Sequence, residues 1–114
     1  MKINLRDFPK KVKPIRDNEV YSVHDLYELE NLVVSMTILH PKQATRGHSH
    51  EETEEVYIFL QGEGEMQLDD KRFKVEKNDL VLVPKGVFHR VFNQGEIDLI
   101  FLCVFEKYEN RGKN

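Results

Sequence analysis

Four side chains carry most of the chemical content of this sequence: His48 and His50, separated by Ser49, then Glu55, and later His89 at the end of the run Pro84-Lys85-Gly86-Val87-Phe88-His89. In an extended strand, residues two apart point the same way, so His48 and His50 present their imidazoles on one face. Gly47, just before them, removes a side chain where a ligand would approach. Glu55 opens the next apolar run and shares the parity of Tyr57 and Phe59. His89 follows a turn in which Pro84 fixes the backbone and Gly86 permits angles closed to other residues, which holds a histidine at a strand start with little freedom. Three neutral imidazoles and one carboxylate suit Mn, Fe, Co, Ni, Zn or Cu, whereas Mg and Ca favour more oxygen ligands. Brought to one point, the four residues would hold a divalent transition metal.

The elements that must position them read as all-β. From Leu32 onward the chain is a series of short runs rich in Val, Ile, Phe and Tyr: 32–40, 55–60, 64–68, 72–75, 79–83, 89–93 and 97–106. Turn residues separate them at Pro41-Lys42, Gly62, Asp69-Asp70, Lys77-Asn78, Pro84-Lys85-Gly86 and Asn93-Gln94-Gly95. No ten-residue helical pattern alternates with these runs, which favours a sandwich or barrel over a parallel α/β sheet. Residues 1–31 read as an N-terminal arm with short flanking elements, 32–106 as the barrel and 107–114 as a C-terminal tail. In the arm, six Lys or Arg fall among the first 20 residues, and Pro9 and Pro14 argue against a helix there. Between Glu19 and Asn31 the spacing of Val20, Val23, Leu26 and Leu29 predicts a short helix, although a strand and turn also fit. His24 lies in that segment and reads as a hydrogen-bonded or exposed histidine.

Composition sets the outer limits. At 114 residues the chain is one domain, with 39% hydrophobic and 32% charged residues, as in folded globular proteins. A formal net charge of −3 gives no broad positive field, so nucleic acid is not an expected partner. The apolar run Leu99–Phe105 is far shorter than the ~20 residues a membrane helix needs, and Met1–Asp7 has no apolar stretch behind it. The expected location is therefore cytoplasmic. The single Cys103 forms no internal disulfide, agrees with a reducing compartment, and reads as a small core residue or else as a reactive or metal-facing thiol. Two runs, 56–60 and 97–105, are apolar on both faces. A barrel strand has one face outward, so either the N-terminal arm or a second subunit must cover it, and a homodimer is the expected assembly.

Taken with their spacing, these residues resemble the cupins, small barrels of the double-stranded β-helix, or jelly-roll, type. The first cupin motif, G-x5-H-x-H-x(3,4)-E-x6-G, is matched by His48, His50, Glu55 and Gly62, with Lys42 in place of the first glycine. The second, G-x5-P-x-G-x2-H-x3-N, is matched by Pro84, Gly86, His89 and Asn93, with Asn78 in place of its glycine. Only the 15 residues Glu63–Lys77 separate the two motifs. The resemblance covers roughly Leu32–Phe105 and implies that His48, His50, Glu55 and His89 bind one divalent metal inside the barrel.

Other residues are candidates for the same pocket. Arg46 shares the parity of His48 and is placed to hold an acidic group, while Arg90 should face away from His89. His40 and Phe59 are further candidate substrate contacts, and Tyr57, beside Glu55, is a candidate catalytic group. Glu54 would replace Glu55 if the strand parity were shifted by one residue. The predicted function is an enzyme acting on a small oxygen-rich molecule, sugar-isomerase-like or dioxygenase-like. Similarity to the archaeal cupin-type phosphoglucose isomerases, in Pro84–Asn93 and Phe101-Leu102, supports the first version. The alternative is a non-catalytic metal-bearing module that binds or senses a small ligand.

Overall fold

A computed structural model describes residues 1–108; the last six residues of the expected C-terminal tail lie outside the described residues. The described residues fold into nine strands: β1 (Pro14–Asp17), β2 (Tyr21–Leu26), β3 (Leu32–Leu39), β4 (Glu55–Gln61), β5 (Glu63–Leu68), β6 (Lys71–Glu76), β7 (Leu80–Val83), β8 (His89–Phe92) and β9 (Leu99–Glu106). They form two antiparallel sheets, one in the order β1-β2-β3-β9-β4-β7 and one in the order β6-β5-β8. The segment before β4 hooks onto β8 through Thr45 N to Val91 O (2.9 Å) and bridges at Ala44–Phe92 and His48–His89. That segment extends the smaller sheet and carries the first two histidines to it.

The two sheets face each other across one core. Met66, Val75 and Val91 from the smaller sheet pack on Val33, Leu39, Phe59, Leu99, Phe101 and Phe105 from the larger. In β4 the pattern is strict, with Glu55, Tyr57 and Phe59 buried and Val56, Ile58 and Leu60 less so on the outer face. Gly62 then turns the chain from one sheet to the other. Its φ is +83°, and a Cβ there would stand 2.9 Å from the Asp98 carbonyl oxygen, so no other residue fits without backbone movement. Lys42 and Asn78, which occupy the positions of the two missing motif glycines, also hold positive φ, 66° and 78°. A left-handed non-glycine residue costs about 1 kcal/mol. Lys42 is anchored by Nζ contacts to Gln94 O (2.9 Å) and Glu96 Oε1 (2.8 Å). The loop shapes persist without the glycines.

The arm departs from expectation in two places. Residues 21–26 form β2 rather than a helix, paired along its whole length with β3. Both faces of β2 are buried, including the polar Ser22, His24 and Asp25, and the apolar spacing matched a helix by coincidence. Pro9 does not prevent a helix: it sits in the first turn of α1 (Phe8–Lys11), where a missing N–H costs nothing. That turn seats Phe8, with only 1% of its surface exposed, on Met36 and Leu102 of the outer face, flanked by Ile3 and Val12. Much of the apolar cover is thus supplied within the chain. His24 ties the arm down, Nδ1 donating to the Val12 carbonyl at 2.6 Å while Nε2 meets Ser22 Oγ at 3.1 Å. On β7, Leu80 and Leu82 stay 58% and 64% exposed. Among the described residues no helix is long and apolar enough to cross a membrane.

Candidate metal centre

His48 and His89 are locked together by backbone. His48 N donates to His89 O (3.1 Å) and His89 N donates to His48 O (2.9 Å), a reciprocal pair that puts both side chains on one face of the sheet. Their ring centroids are 4.5 Å apart. His50 is fixed by its own carbonyl, which accepts from Gly86 N at 2.8 Å; the Pro84–Gly86 turn therefore orients two of the clustered histidines at once. Gly47 has φ +82°, and a Cβ there would lie 2.5 Å from Phe88 Cζ, so the approach to His48 demands glycine.

Glu55 enters from the other sheet, at the start of β4. Its Oε1 accepts from Cys103 Sγ at 2.9 Å, which leaves Oε2 directed at the histidines, 2.8 Å from His89 Nε2 and 3.8 Å from His50 Nε2. One donor atom from each of His48, His50, Glu55 and His89 lies within 4.8 Å of the others. His89 Nδ1 contacts the Val87 carbonyl at 3.0 Å. A carbonyl only accepts, so Nδ1 carries a proton and the other nitrogen faces the cluster, the orientation a histidine ligand requires. Glu55 and His89 are 5% and 2% exposed. Although Oε2 and Nε2 are at ion-pair distance, neither is aligned for a hydrogen bond and neither reaches solvent. Two buried polar atoms converging without such alignment fit a group bound between them.

Electrostatics agree. Burial alone would raise the Glu55 carboxyl, but His89, then the Cys103 thiol and the charge of His50, hold it at about 2. Burial opposes a charge on His89, yet the contact with Glu55 outweighs it and raises the imidazole above its ordinary 6.5. A depressed carboxyl stabilises the fold above pH 4.5 and loses that contribution as pH falls toward 2. A raised imidazole contributes below 6.5 and loses it as pH climbs through the folded value. The thermal midpoint of the metal-free protein should therefore peak between about pH 4.5 and 6.5. Glu55→Gln should flatten the profile. Added divalent metal should reverse the loss on the alkaline side, because a metal takes the place of the proton.

The cluster lies in a cavity of about 530 Å³. Of the residues expected there from sequence, Arg46 and Tyr57 line it. Tyr57 stacks on Phe101 (centroids 5.5 Å) and meets the His89 ring edge-on (5.8 Å). His40 and Phe59 do not line it. Ser35 and Thr37 of β3 face the cavity, so His40 falls off that parity, and its Nδ1 lies 3.1 Å from Asp98 Oδ1 instead. Phe59 has the right parity but the wrong depth, packed against Tyr57 and Phe101 with no exposed surface. Glu54 is exposed while Glu55 is buried, so the strand parity holds without a shift. Arg90 faces away from His89, donating from Nε to Thr45 O (2.7 Å). Cys103 is buried like a core residue, and its thiol reaches Glu55 because β9 pairs with β4 in the register Tyr57–Cys103. Sequence reasoning did not find Arg16, Tyr21 and Tyr108, which also line the cavity.

A barrel of two antiparallel sheets with three histidines and a glutamate gathered in one cavity defines a double-stranded β-helix with a cluster able to hold a metal ion. The Cupin domain family model matches residues 35–105, and the chain belongs to the cupins. An uncharacterised protein of Methanocaldococcus jannaschii is 39% identical over 56 residues, covering 49% of this chain and 45% of that one. The glucose-6-phosphate isomerase of Pyrococcus furiosus is 33% identical over 100 residues, covering 76% of this chain and 53% of the enzyme. This chain spans about half the length of both relatives. Among solved structures, a double-stranded β-helix protein from Klebsiella pneumoniae superposes with TM-score 0.78 at 21% identity, covering 92% of this chain and 88% of that one. A predicted oxalate decarboxylase from Thermotoga maritima superposes with TM-score 0.76 at 23% identity, covering 87% and 96%. At these identities the structural likeness bears on fold alone.

Proposed function

We propose that His48, His50, Glu55 and His89 hold one divalent transition metal, and that the surrounding cavity binds and transforms a small oxygen-rich molecule. The observation that carries this reading is the convergence of Glu55 Oε2 and His89 Nε2, buried and without hydrogen-bond alignment, on the other two histidines. A metal held there would supply a Lewis acid for a substrate carbonyl or alcohol, or a site for dioxygen. Glu55 stays ionised across the physiological range, which supports assigning it as ligand, and among the cavity-lining residues it is the one carboxylate, which supports assigning it as the group that moves a proton. Tyr57, wedged between Phe101 and His89, orients the substrate through its hydroxyl. Arg46, exposed at the cavity, holds an acidic substituent.

Similarity to glucose-6-phosphate isomerases over 76% of this chain supports the sugar-isomerase version over the dioxygenase one. The exposed Leu80 and Leu82 on β7 support a homodimer through that edge. The test is elemental analysis of purified protein, followed by aldose–ketose interconversion and oxygen-uptake assays with and without chelator. We expect near-stoichiometric metal and chelator-sensitive turnover in the first assay. Metal without turnover in either would replace the enzyme with a binding module, and absence of metal uptake would end the proposal.

A further inference from the structure

Two guanidinium groups face the cavity, and among the described residues neither has an acidic partner. Arg46 comes from the segment before His48, whereas Arg16 comes from β1, at the edge of the larger sheet. Arg16 is half-buried, and its Nη1 donates to the Tyr21 hydroxyl at 3.2 Å. This contact orients the guanidinium without neutralising it. Glu55 is the sole carboxylate among the cavity-lining residues, and its charge is already met by His89 and His50. The cavity wall thus carries two permanent positive charges against one committed negative charge, and a bound divalent ion would add to the excess. Such a space selects an anion.

The register says more about the shape of that anion. Arg16 stands opposite Val23, Val23 opposite Thr37, Ser35 opposite Cys103, and Cys103 opposite Tyr57. Across the curved sheet, the inward faces run from a guanidinium on β1, past the hydroxyls of Thr37 and Ser35, to Cys103 and the carboxylate of Glu55 on β4. A cation at one end, the candidate metal ligands at the other and hydroxyls between match a molecule with an acid at one end, hydroxyl groups along its length and a carbonyl or hydroxyl at the far end.

We propose that Arg16, held by Tyr21, is the specificity-determining contact for a carboxylate of the ligand, and that the site takes a hydroxylated carboxylic acid rather than a neutral sugar. This deepens the reading of the cavity as a metal-dependent site and rests on it. The planar guanidinium can grip a carboxylate through two parallel hydrogen bonds, which a neutral hydroxymethyl group cannot return.

The test uses three probes that differ only at one carbon: glucuronate, glucose and glucose 6-phosphate, titrated calorimetrically into the metal-loaded chain, with metal content measured in parallel. Glucuronate should bind at least roughly tenfold more tightly than glucose, the size of one charge-assisted hydrogen bond. Arg16→Gln should remove most of that preference, leaving only what Arg46 supplies, with metal content and glucose binding unchanged. Arg16→Lys, which keeps the charge but not the fork, should restore part of it. Equal binding of glucuronate and glucose by the unaltered chain would overturn the proposal, as would undiminished glucuronate binding by Arg16→Gln. Preference for glucose 6-phosphate that is lost in Arg16→Gln would overturn the carboxylate assignment in favour of a phosphate. Failure of the metal reading would appear separately, in the metal content of the unaltered chain.

Discussion

His89→Ala should purify with little or no bound metal while remaining a folded barrel. Removing a residue that merely supports a ligand commonly costs 10- to 100-fold in metal affinity; removing a ligand itself should cost more, roughly 100-fold or above. The fold should survive because His89 contributes its backbone N–H and C=O to the pairing with His48, and alanine keeps both. The same change also deletes the partner of a buried carboxylate, since Glu55 Oε2 lies 2.8 Å from the lost nitrogen. The variant's Glu55 should therefore titrate higher than the about 2 it holds now. Competition with a colourimetric chelator reads the affinity and circular dichroism reads the fold. Full metal occupancy in the variant would remove His89 from the centre.

Asn93→Asp should destabilise the fold by about 3 kcal/mol. Asn93 is 2% exposed. Its Nδ2 donates to both Leu39 O and Ile97 O, each at 2.9 Å, and its Oδ1 accepts from Gly95 N at 3.0 Å. These three bonds tie the end of β3 to the loop that leads into β9. An aspartate would keep the Gly95 bond but turn an oxygen toward two carbonyl oxygens, and it would either bury a charge or take up a proton to avoid doing so. Chemical denaturation at neutral pH measures the loss, and part of it should return as pH falls and the carboxyl protonates. A loss under 1 kcal/mol would mean that the loop rearranges freely and that the bonds described have little net weight.

The convergence of three histidines and a glutamate was legible because it obeys period-two geometry on strands with one buried face. His48 and His50 share a side, Glu55 shares a side with Tyr57, and the Pro84–Gly86 turn delivers His89 to a strand start. The Arg16 contact was not legible, and the reason is local. Between Pro14 and Arg16 the register of β1 on β2 shifts, so that Pro14 stands opposite His24 but Arg16 stands opposite Val23. An irregularity of this kind breaks the alternation on which a parity argument depends, and it brings Arg16 to the face that Val23 presents to the cavity. β2 was misread for a different reason: its buried polar residues Ser22, His24 and Asp25 include an adjacent pair, which interrupts the period-two pattern. The Cys103–Glu55 contact needed the pairing of two strands more than 40 residues apart, which no local pattern records. His40 and Phe59 mark the limits of parity itself: one lies a residue out of phase, and the other points inward at the wrong depth.

The position of β9 has a consequence for how the molecule comes into being. This strand is the last in the chain among the described residues, yet it lies between β3 and β4 and pairs with both along most of its length. A chain emerging from the ribosome would therefore expose two unsatisfied apolar strand edges until β9 has been synthesised. Folding of this domain must wait for β9 and be dominated by long-range pairing, which makes it slow for a domain of this size. A nascent chain stalled before Leu99 should be a substrate for chaperones rather than a partly working protein.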